Sequence, residues 1–369
     1  MNVIFCTNIP SPYRVDFFNE FGKFVNLTVL YERKTSSERN SSWKGNKALN
    51  FKEVYLDLTP VGVDRARGTA LKDYIKCNPS DALFFQEIVS PATMEAIIWC
   101  RLHGRPYFIE YDGGYNKKDS FIKRLVKKIL LNGALGHLTT AEEHISYLRD
   151  FGIPDNKIFK YPFTSIGESD IEQAQSYTCK GKDIYKKKLG ITEEKMLLSV
   201  GRFSYENGYG KGYDILMKVA KKLDKSVGVY IVGDEPTDEF IEWKEKEALT
   251  NVHFVGFKTK IELADYYAAS DMFILLSRGD VWGLVINEAM AFGLPIISSD
   301  KCIAGLELVK NGTNGFVVSL DNVELIKEKI EFILGSDSRI IEYARNSLGI
   351  IKNYTFECMS QRHMDIINQ

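Results

Sequence analysis

The stretch from Ser277 to Asp300, SRGDVWGLVINEAMAFGLPIISSD, constrains the fold of this 369-residue chain more than any other. A continuous apolar run, MFILLS, leads into it, and such a run is typical of a strand buried on both faces. Apolar residues then recur at near-helical spacing from about Gly283 until a Gly-Leu-Pro sequence ends the pattern. PIIS follows as the next buried strand. The stretch therefore predicts a strand–helix–strand step in a parallel sheet.

The same alternation runs through the rest of the chain. Short apolar runs such as NVIFC, NLTVLY, ALFFQ, YFIEY and MLLSVG predict further strands, with helical or polar segments between them. A chain of this length is long enough for two α/β domains. Residues 166–190 are polar, charged and poor in periodic apolar positions. They predict a crossover between an N-terminal domain, 1–165, and a C-terminal domain, 191–353.

Composition indicates an ordinary enzyme of the cytoplasm. The net charge of −1 excludes a globally basic nucleic-acid-binding protein, although it says nothing about local patches. The six cysteines are scattered without a Cys-x-x-Cys pair, which indicates reduced thiols. The start, MNVIFCTNIP, lacks the basic region of a signal peptide and is predicted to be the first strand. No apolar run approaches the roughly 20 residues needed to cross a membrane.

Two acids stand in the central step, Asp280 in the loop and Glu288 in the helix. Between them, the amides of Gly283, Leu284 and Val285 lie at a predicted helix N-terminus, which favours a phosphate group. A carboxylate beside a phosphate site commonly accepts hydrogen bonds from sugar or ribose hydroxyls. The alternative is that Asp280 only caps the helix and Glu288 is a solvated helix residue.

A glycine-rich loop carries two cations upstream. After the strand MLLSVG, the loop contains Arg202 and Lys211 and leads into an amphipathic helix. Glycines such as Gly201 let the backbone approach a ligand closely, and two cations near a helix start suit a diphosphate. Because glycine and lysine are frequent in loops, this pattern is weak evidence by itself.

The central stretch resembles the donor-site signature of retaining GT-B glycosyltransferases, glycosyltransferase family 4. That signature has a glutamate, seven residues and a second glutamate, with F-G-L before E-A-M-A-x-G-L-P. Here it runs from Asp280 through seven residues to Glu288, with Trp282-Gly283-Leu284 and then EAMAFGLP. This chain differs from the signature at the first acidic position, where Asp280 replaces a glutamate and its side chain is shorter by one methylene. The loop with Arg202 and Lys211 resembles the family's G-R-x, then K-G pattern, with a rather long spacer, FSYENGYG.

The resemblance implies a GT-B fold, in which two doubly wound, Rossmann-like domains face each other across a cleft. It also implies sugar transfer from a nucleotide diphosphate sugar to an acceptor hydroxyl with retention at the anomeric carbon. No metal and no cofactor are implied. The acceptor would be a saccharide or lipid-linked saccharide in cell-surface polysaccharide or glycolipid assembly. The implied contacts are Arg202 and Lys211 for the diphosphate, Asp280 for the sugar hydroxyls, Glu288 for the ribose, and the backbone of Gly256-Phe257 for the base.

The N-terminal half offers weaker candidates. Tyr13-Arg14 resembles a pattern at the start of many family members, where Arg14 would hold an anionic acceptor group. The alternative is a surface arginine in a first helical turn. Family relatives often carry a histidine near the end of YFIEY, where this chain offers Glu110 or Asp112. A turn at Gly113-Gly114 stabilised by Asp112 is the alternative there.

Two further segments have predicted surfaces. In SFIKRLVKKILLNG, the apolar residues fall on one helical face and the basic residues on the other; they are Phe121, Ile122, Leu125, Val126, Ile129 and Leu130, and Lys123, Arg124, Lys127 and Lys128. Two alternatives follow for residues 121–130. They either lie on the inner face of an anionic membrane or pack their apolar side on a sheet. By the resemblance, the C-terminal segment 354–369 is a helix that packs back on the N-terminal domain.

Two other functions remain open from the sequence. A GT-B nucleotide-sugar epimerase would use the same donor pocket without an acceptor. A nucleotide-sugar binding module without catalysis is the other alternative, because aspartate stands at position 280 where glutamate is usual. The base, the sugar and the acceptor are not predictable from these patterns.

Overall fold

The computed structural model describes residues 1–35, 47–62, 65–113 and 120–369. Within them the chain divides into two units, residues 1–165 with 355–369, and residues 166–354. The elements of the first unit are, in chain order, β1 (Asn2–Thr7), α1 (Pro12–Phe21), β2 (Asn26–Tyr31), β3 (Phe51–Tyr55), β4 (Thr59–Pro60), β5 (Ala66–Arg67), α2 (Ala70–Cys77), β6 (Ala82–Gln86), α3 (Pro91–Leu102), β7 (Phe108–Glu110), α4 (Phe121–Leu131), β8 (Gly136–Thr139), α5 (Glu142–Asp150) and β9 (Ile158–Lys160).

The first unit is built on a parallel sheet of order β3-β2-β1-β6-β7-β8-β9. Strand order reverses beside β1, because β2 lies on one side of it and β6 on the other. Since parallel crossovers are right-handed, this reversal places helices on both faces of the sheet. Ligands of such sheets bind at the carboxyl ends of the strands flanking the reversal, the topological switch point.

The last helix of the chain belongs to the first unit. It begins after Thr355, whose hydroxyl accepts the N–H of Cys358 at 3.3 Å as a helix cap. Its His363 ring packs on α1, with centroids 4.9 Å from Phe17 and 5.6 Å from Phe21. Residues 355–369 therefore complete the core of a domain that begins at the other end of the chain.

The second unit repeats the architecture. Its elements are α6 (Glu168–Thr178), α7 (Lys182–Leu189), β10 (Lys195–Val200), α8 (Tyr213–Lys222), β11 (Val227–Val232), α9 (Asp238–Lys246), β12 (Val252–Gly256), α10 (Lys260–Ala269), β13 (Met272–Leu275), α11 (Leu284–Ala291), β14 (Ile296–Ser299), α12 (Ile303–Leu308), β15 (Gly315–Val318), α13 (Val323–Leu334) and α14 (Asp337–Ile351); α15 (Phe356–Ile367) returns to the first unit.

The second sheet is also parallel, with the order β12-β11-β10-β13-β14-β15. Its switch point lies between β10 and β13. The predicted strand–helix–strand step is β13, α11 and β14, and β13 pairs with β14 from Phe273 with Ile296 to Leu275 with Ser298. The predicted fold class, α/β with two doubly wound units, is confirmed.

Residues 166–190, predicted as a crossover, form two helices of the second unit. Helix α7 is held by its lysines: Lys182 and Lys186 both pair with Asp271, Lys186 at 3.1 Å. The left-handed Gly190, at φ +69°, ends α7. This segment has few apolar positions, and the ion pairs with Asp271 help to hold it on the second unit.

Candidate functional site

Two charged side chains meet at the carboxyl edge of the second sheet. Lys211 lies in the loop after β10 and Asp280 in the loop after β13, the two strands that flank the switch point. Lys211 Nζ lies 2.6 Å from Asp280 Oδ2, and the Ser277 hydroxyl donates to the same oxygen at 3.3 Å. The Lys211 and Asp280 side chains are 17% and 18% exposed. The pair is therefore accessible to a ligand.

Two glycines make this geometry possible. A Cβ on Gly201 would lie 2.8 Å from the Tyr213 hydroxyl and 3.2 Å from Lys211 Cδ, so a side chain there would crowd the lysine. Gly212 has φ +70°, and a Cβ on it would lie 1.9 Å from the carbonyl oxygen of Leu276. The loop with Lys211 thus packs its backbone directly against the end of β13. A contact of Gly201 with a ligand stays a prediction.

Arg202 is exposed at the start of the same loop. The next two residues, Phe203 and Ser204, donate their N–H groups to the carboxylate of Asp234, Ser204 at 3.1 Å. Asp234 lies two residues beyond β11 and is absent from the predicted site. The available signal was a carboxylate two residues beyond a buried strand, in GDEP. The Asp234 carboxylate fixes the backbone that carries Arg202.

Arg278 anchors the second loop. Its two Nη atoms donate to the two carboxylate oxygens of Asp214 at 2.6 and 2.8 Å, and Nη1 also donates to the carbonyl of Tyr209 at 2.5 Å. A two-pronged pair of this kind fixes direction as well as distance. The sequence identified Arg278 only as part of a loop. The structure shows that it ties the loop of Asp280 to α8 and to the loop of Lys211.

Helix α11 begins at the same edge of the sheet. Its N-cap is Gly283, with φ +101°, and a Cβ there would lie 2.6 Å from the Cys302 sulfur. The first N–H groups of a helix lack partners within it, so Leu284 and Val285 lie in a region that favours an anion. The N-cap residue is a glycine, which has no side chain to cap the helix, and the carboxylate of Asp280 is engaged by Lys211 and Ser277. The interpretation of Asp280 as only a helix cap is therefore wrong.

Glu288 lies one turn farther along α11, in the wall of a cavity of about 190 Å³ between α6, α10 and α11. The hydroxyl of Tyr267 donates to Glu288 Oε2 at 3.1 Å. Burial, and then the Glu288 carboxylate, raise the pKa of Tyr267, which keeps this donor protonated. Glu288 is half-buried, and its contact with a ribose stays a prediction.

Gly256 and Phe257 lie where β12 ends. Gly256 has φ +75°, and its backbone passes close to Glu235, whose Oε1 would be 3.0 Å from an added Cβ. The Phe257 side chain is 60% exposed. The pair lies at the same carboxyl edge of the sheet as Lys211 and Asp280. A contact with a base stays a prediction.

Arg14, by contrast, is inside the first unit. Only 1% of the residue is exposed, and its Nη1 donates to Glu110 Oε1 at 2.5 Å while its Nη2 pairs with Asp112. The interpretation as a surface residue is wrong. The predicted contact with an anionic acceptor is replaced by an internal ion-pair network, because burial and two carboxylates occupy the guanidinium.

Glu110 is the centre of that network. His363 of α15 lies with Nε2 at 2.6 Å from Glu110 Oε2, and Tyr161 donates to Oε1 at 3.2 Å. Burial alone would raise the pKa of Glu110, but Arg14 and His363 outweigh it and lower the pKa to about 2. The carboxylate is therefore ionised and fully enclosed. It does not take the place of a catalytic group at the end of β7, and His363 is absent from the predicted site.

Asp112 lies at the rim of the same network. Besides Arg14, it accepts from the Tyr13 hydroxyl at 3.1 Å and from Gln86 Nε2 at 2.7 Å. These partners are far from Asp112 along the chain. Gly113 has φ +134°, and Gly114 lies outside the described residues. A contact of Asp112 with an acceptor stays a prediction.

Helix α4 has its apolar face turned outward. Phe121 is 83% exposed and Leu125 52%, and Ile122, Val126 and Ile129 are exposed as well. The opposite side packs on α5: Arg124 donates to the Asp150 carbonyl at 2.7 Å and stacks over Phe151, and Lys127 lies over Tyr147. Of the predicted apolar face Leu130 is buried, and the alternative that this face packs on a sheet is wrong for its other five residues.

Among the described residues, no group of three or more His, Cys, Asp or Glu side chains is placed to hold a metal ion. In the same part of the chain, no helix combines the length and the apolar character that spanning a bilayer requires.

Residues 181–347 match the family model described as glycosyl transferases group 1. An uncharacterized 41.2 kDa protein of the cps region of Klebsiella pneumoniae is 33% identical over 184 residues, which are 48% of this chain and 46% of that protein. The chain spans about half the length of the curated relatives that it matches first.

A longer alignment joins this chain to a Campylobacter jejuni protein, N,N'-diacetylbacillosaminyl-diphospho-undecaprenol alpha-1,3-N-acetylgalactosaminyltransferase. The two are 21% identical over 280 residues, 73% of this chain and 72% of that protein. Among solved structures, a glycosyltransferase from Rickettsia africae matches 100% of this chain and 98% of its own, with a TM-score of 0.77 and 17% identity. That likeness shows the shared GT-B fold.

Proposed function

We propose, on the premise that residues 181–347 belong to the glycosyl transferases group 1 family, that this protein moves a sugar from a nucleotide diphosphate sugar to an acceptor hydroxyl. The proposal includes retention at the anomeric carbon. The observation that carries it is the contact of Lys211 with Asp280, 2.6 Å apart beside the N-terminus of α11. An anion site and a hydroxyl-binding carboxylate stand together there, as a diphosphate sugar requires.

The main electrostatic task is the negative charge that grows on the leaving diphosphate. In the proposal, Lys211, Arg202 and the first amides of α11 stabilise that charge, which is worth most in a site with little water. Lys211 is already positioned by Asp280, so the arriving diphosphate shares an ordered cation. This ordering lowers the cost of arranging the site during the reaction.

The two carboxylates take different parts of the donor. Asp280, at the diphosphate end of the site, accepts hydrogen bonds from hydroxyls of the transferred sugar. Glu288, one turn farther along α11 and held by Tyr267, accepts from the ribose. Gly256 and Phe257, at the end of β12, approach the base. Because aspartate is shorter than glutamate, the sugar hydroxyls lie closer to the loop or a water bridges the gap.

The test is binding followed by product analysis. Thermal stabilisation is measured with a panel of uridine, guanosine, adenosine, cytidine and thymidine diphosphates, because a ligand of the folded state adds RT ln(1 + [L]/Kd). Matching nucleotide sugars are then incubated with and without alkyl glycosides. Transfer to the glycoside supports the proposal. Conversion of the nucleotide sugar alone would indicate an epimerase instead, and stabilisation without any conversion would indicate a binding module.

We also propose that α4 lies on an anionic membrane surface and that the acceptor is lipid-linked. The outward apolar face, from Phe121 to Ile129, is suited to insertion among acyl chains, and Lys123 and Lys128 border it on its two sides. The Campylobacter relative is named for an undecaprenol-linked acceptor, which supports work at a membrane face in polysaccharide or glycolipid assembly.

Sedimentation with vesicles of phosphatidylglycerol and phosphatidylcholine tests the membrane proposal. Lys123→Gln with Lys128→Gln is expected to weaken binding at low salt, by about 1 kcal/mol for each basic residue. Leu125→Ser is expected to weaken it at high salt too, since the apolar contact is not screened. Lys52→Gln, an exposed lysine on β3, is the control. Unchanged partitioning of all the α4 variants would contradict the proposal.

A further inference from the structure

Glu87 has a backbone conformation that residues with a Cβ avoid. It directly follows β6, and its φ is +59°, in the left-handed region. Its N–H donates to the carbonyl of Glu110 at 2.8 Å, which ties the bend to the end of β7. Such strained positions collect at binding and catalytic sites, where the surrounding structure holds a side chain in a required direction.

The position of Glu87 is at the switch point of the first sheet. β1 and β6 are the strands on either side of the reversal, and their last residues, Thr7 and Gln86, are joined by a side-chain hydrogen bond. Glu87 is the next residue beyond that bond. In a doubly wound sheet this is the place where ligands approach.

The neighbouring charges are engaged with one another, whereas the Glu87 carboxyl is not. Arg14 pairs with Glu110 and Asp112, and Gln86 donates to Asp112. Within the described residues, we find no hydrogen bond or ion pair to the Glu87 side chain, which is half-buried. Burial raises the pKa of Glu87, and Arg14 opposes that rise. The group has unused acceptor capacity in a site with little water.

We propose that Glu87 is an acceptor-binding residue, whose carboxyl accepts hydrogen bonds from hydroxyl groups of the acceptor saccharide. This inference rests on the proposed sugar transfer and names a residue for its second substrate. A carboxylate can accept from two adjacent hydroxyls at once, which orients a sugar ring. Glu87 stands at the carboxyl edge of the sheet, one residue beyond the end of β6.

Binding of octyl glucoside, octyl galactoside and octyl N-acetylglucosaminide tests the inference by ligand-observed NMR. Wild type is expected to bind at least one of them. Glu87→Gln and Glu87→Gly are each expected to lose roughly tenfold or more in affinity, because a bond to a charged acceptor is lost. In the proposed function the nucleotide diphosphate binds to the second unit. Its affinity is therefore expected to stay within about twofold of wild type, because changes at distant, independent sites do not influence one another.

A second measurement distinguishes a ligand contact from a structural role. Glu87→Gly removes the strain and is expected to raise the melting temperature by roughly 2 °C while it loses glycoside affinity. Ala248→Gly is the matched control, since Ala248 is exposed in the second unit and has φ +48°. It is expected to raise the melting temperature similarly and to leave glycoside affinity unchanged.

Equal glycoside affinity in wild type and Glu87→Gln would overturn the inference. So would the absence of glycoside binding to the wild type across the panel. Glycoside binding that depends on Glu87, without sugar transfer from any nucleotide sugar, would overturn the proposed function and not the assignment of Glu87. The two failures are therefore distinguishable.

Discussion

The two units have the same kind of parallel sheet, but they differ in how far the charged side chains near its switch point are exposed to solvent. In the first unit the charges near the reversal are enclosed: Arg14 is 1% exposed and Glu110 is fully buried. In the second unit the corresponding pair, Lys211 with Asp280, keeps about a sixth of each side chain exposed, at 17% and 18%. The same topology therefore supports either an internal network or an accessible site. Burial decides which of the two it becomes.

The difference has an energetic basis. Burying a charge is costly unless ion pairs and hydrogen bonds offset the loss of hydration. In the first unit Arg14, Glu110 and His363, from three distant parts of the chain, provide these contacts for one another. Such a network resists exchange with a ligand. A partly exposed pair has water as an alternative partner and contributes little to stability. The proposed function requires Lys211 and Asp280 to exchange part of this contact for the donor.

The largest expected effect breaks the first-unit network. Arg14→Met leaves Glu110 and Asp112 without their cation in the interior, so we expect a loss of about 3–5 kcal/mol in the free energy of unfolding. Urea denaturation followed by circular dichroism measures it. Lys211→Met is the matched variant of the second unit and is expected to cost less than about 1 kcal/mol. Equal losses in both variants would contradict the comparison.

The next effect is on turnover. If Lys211 and Arg202 hold the diphosphate as proposed, Lys211→Ala and Arg202→Ala each lose about 2–4 kcal/mol of transition-state stabilisation, with little change in stability. The rate of sugar transfer measures it. Lys221→Ala on α8, an exposed lysine paired with Glu247, is the control. Wild-type rates in both single variants would remove the diphosphate assignment.

The enclosed carboxylate of Glu110 also makes the stability of the first unit depend on pH. The folded-state pKa of Glu110 is about 2, below its ordinary value of 4.5. The folded state therefore binds fewer protons, and the stabilisation is present above about pH 4.5 and lost as the pH falls toward 2. We expect it to be about 2–3 kcal/mol.

Urea midpoints from pH 5 to pH 2.5 measure this loss. Glu110→Gln has no carboxyl to titrate at that position, so its stability is expected to fall less steeply over the same interval. If stability fell with pH at the same rate in wild type and in Glu110→Gln, protonation of Glu110 would not be the cause of acid destabilisation of the first unit.

The smallest expected effects separate the two carboxylates of the second unit. Asp280→Asn is expected to lower the transfer rate by about tenfold or more while the affinity for the nucleotide diphosphate stays nearly unchanged. Glu288→Gln is expected to weaken nucleotide binding by about 1 kcal/mol, because one ribose contact is lost. Calorimetric binding beside the transfer rate measures both. Transfer at the wild-type rate by Asp280→Asn would end its assignment to the sugar.

Sequence patterns were a better guide to the surroundings of Lys211 and Asp280 in the second unit than to those of Arg14 in the first. The strand ends, the glycine before α11, and Arg202, Lys211 and Asp280 are each recognisable from neighbouring residues. The partners of Arg14 are 96 and 98 residues away along the chain, and His363 is 253 residues from Glu110. No local pattern reports such pairs. Asp234 and Arg278 were missed for the same reason, since their partners lie in other loops.

Local sequence patterns predicted the alternation of strands and helices, the β13–α11–β14 step and the apolar stripe of α4, but not the helices α6 and α7. These properties depend on periodicity and on backbone preferences that act over a few residues. Which charges are enclosed, and which face of α4 is turned outward, depends on contacts that form in the folded chain. Arg124 against Phe151 and Lys127 over Tyr147 set that face. Burial is the sum of contacts between distant segments, so it exists only once the chain has folded.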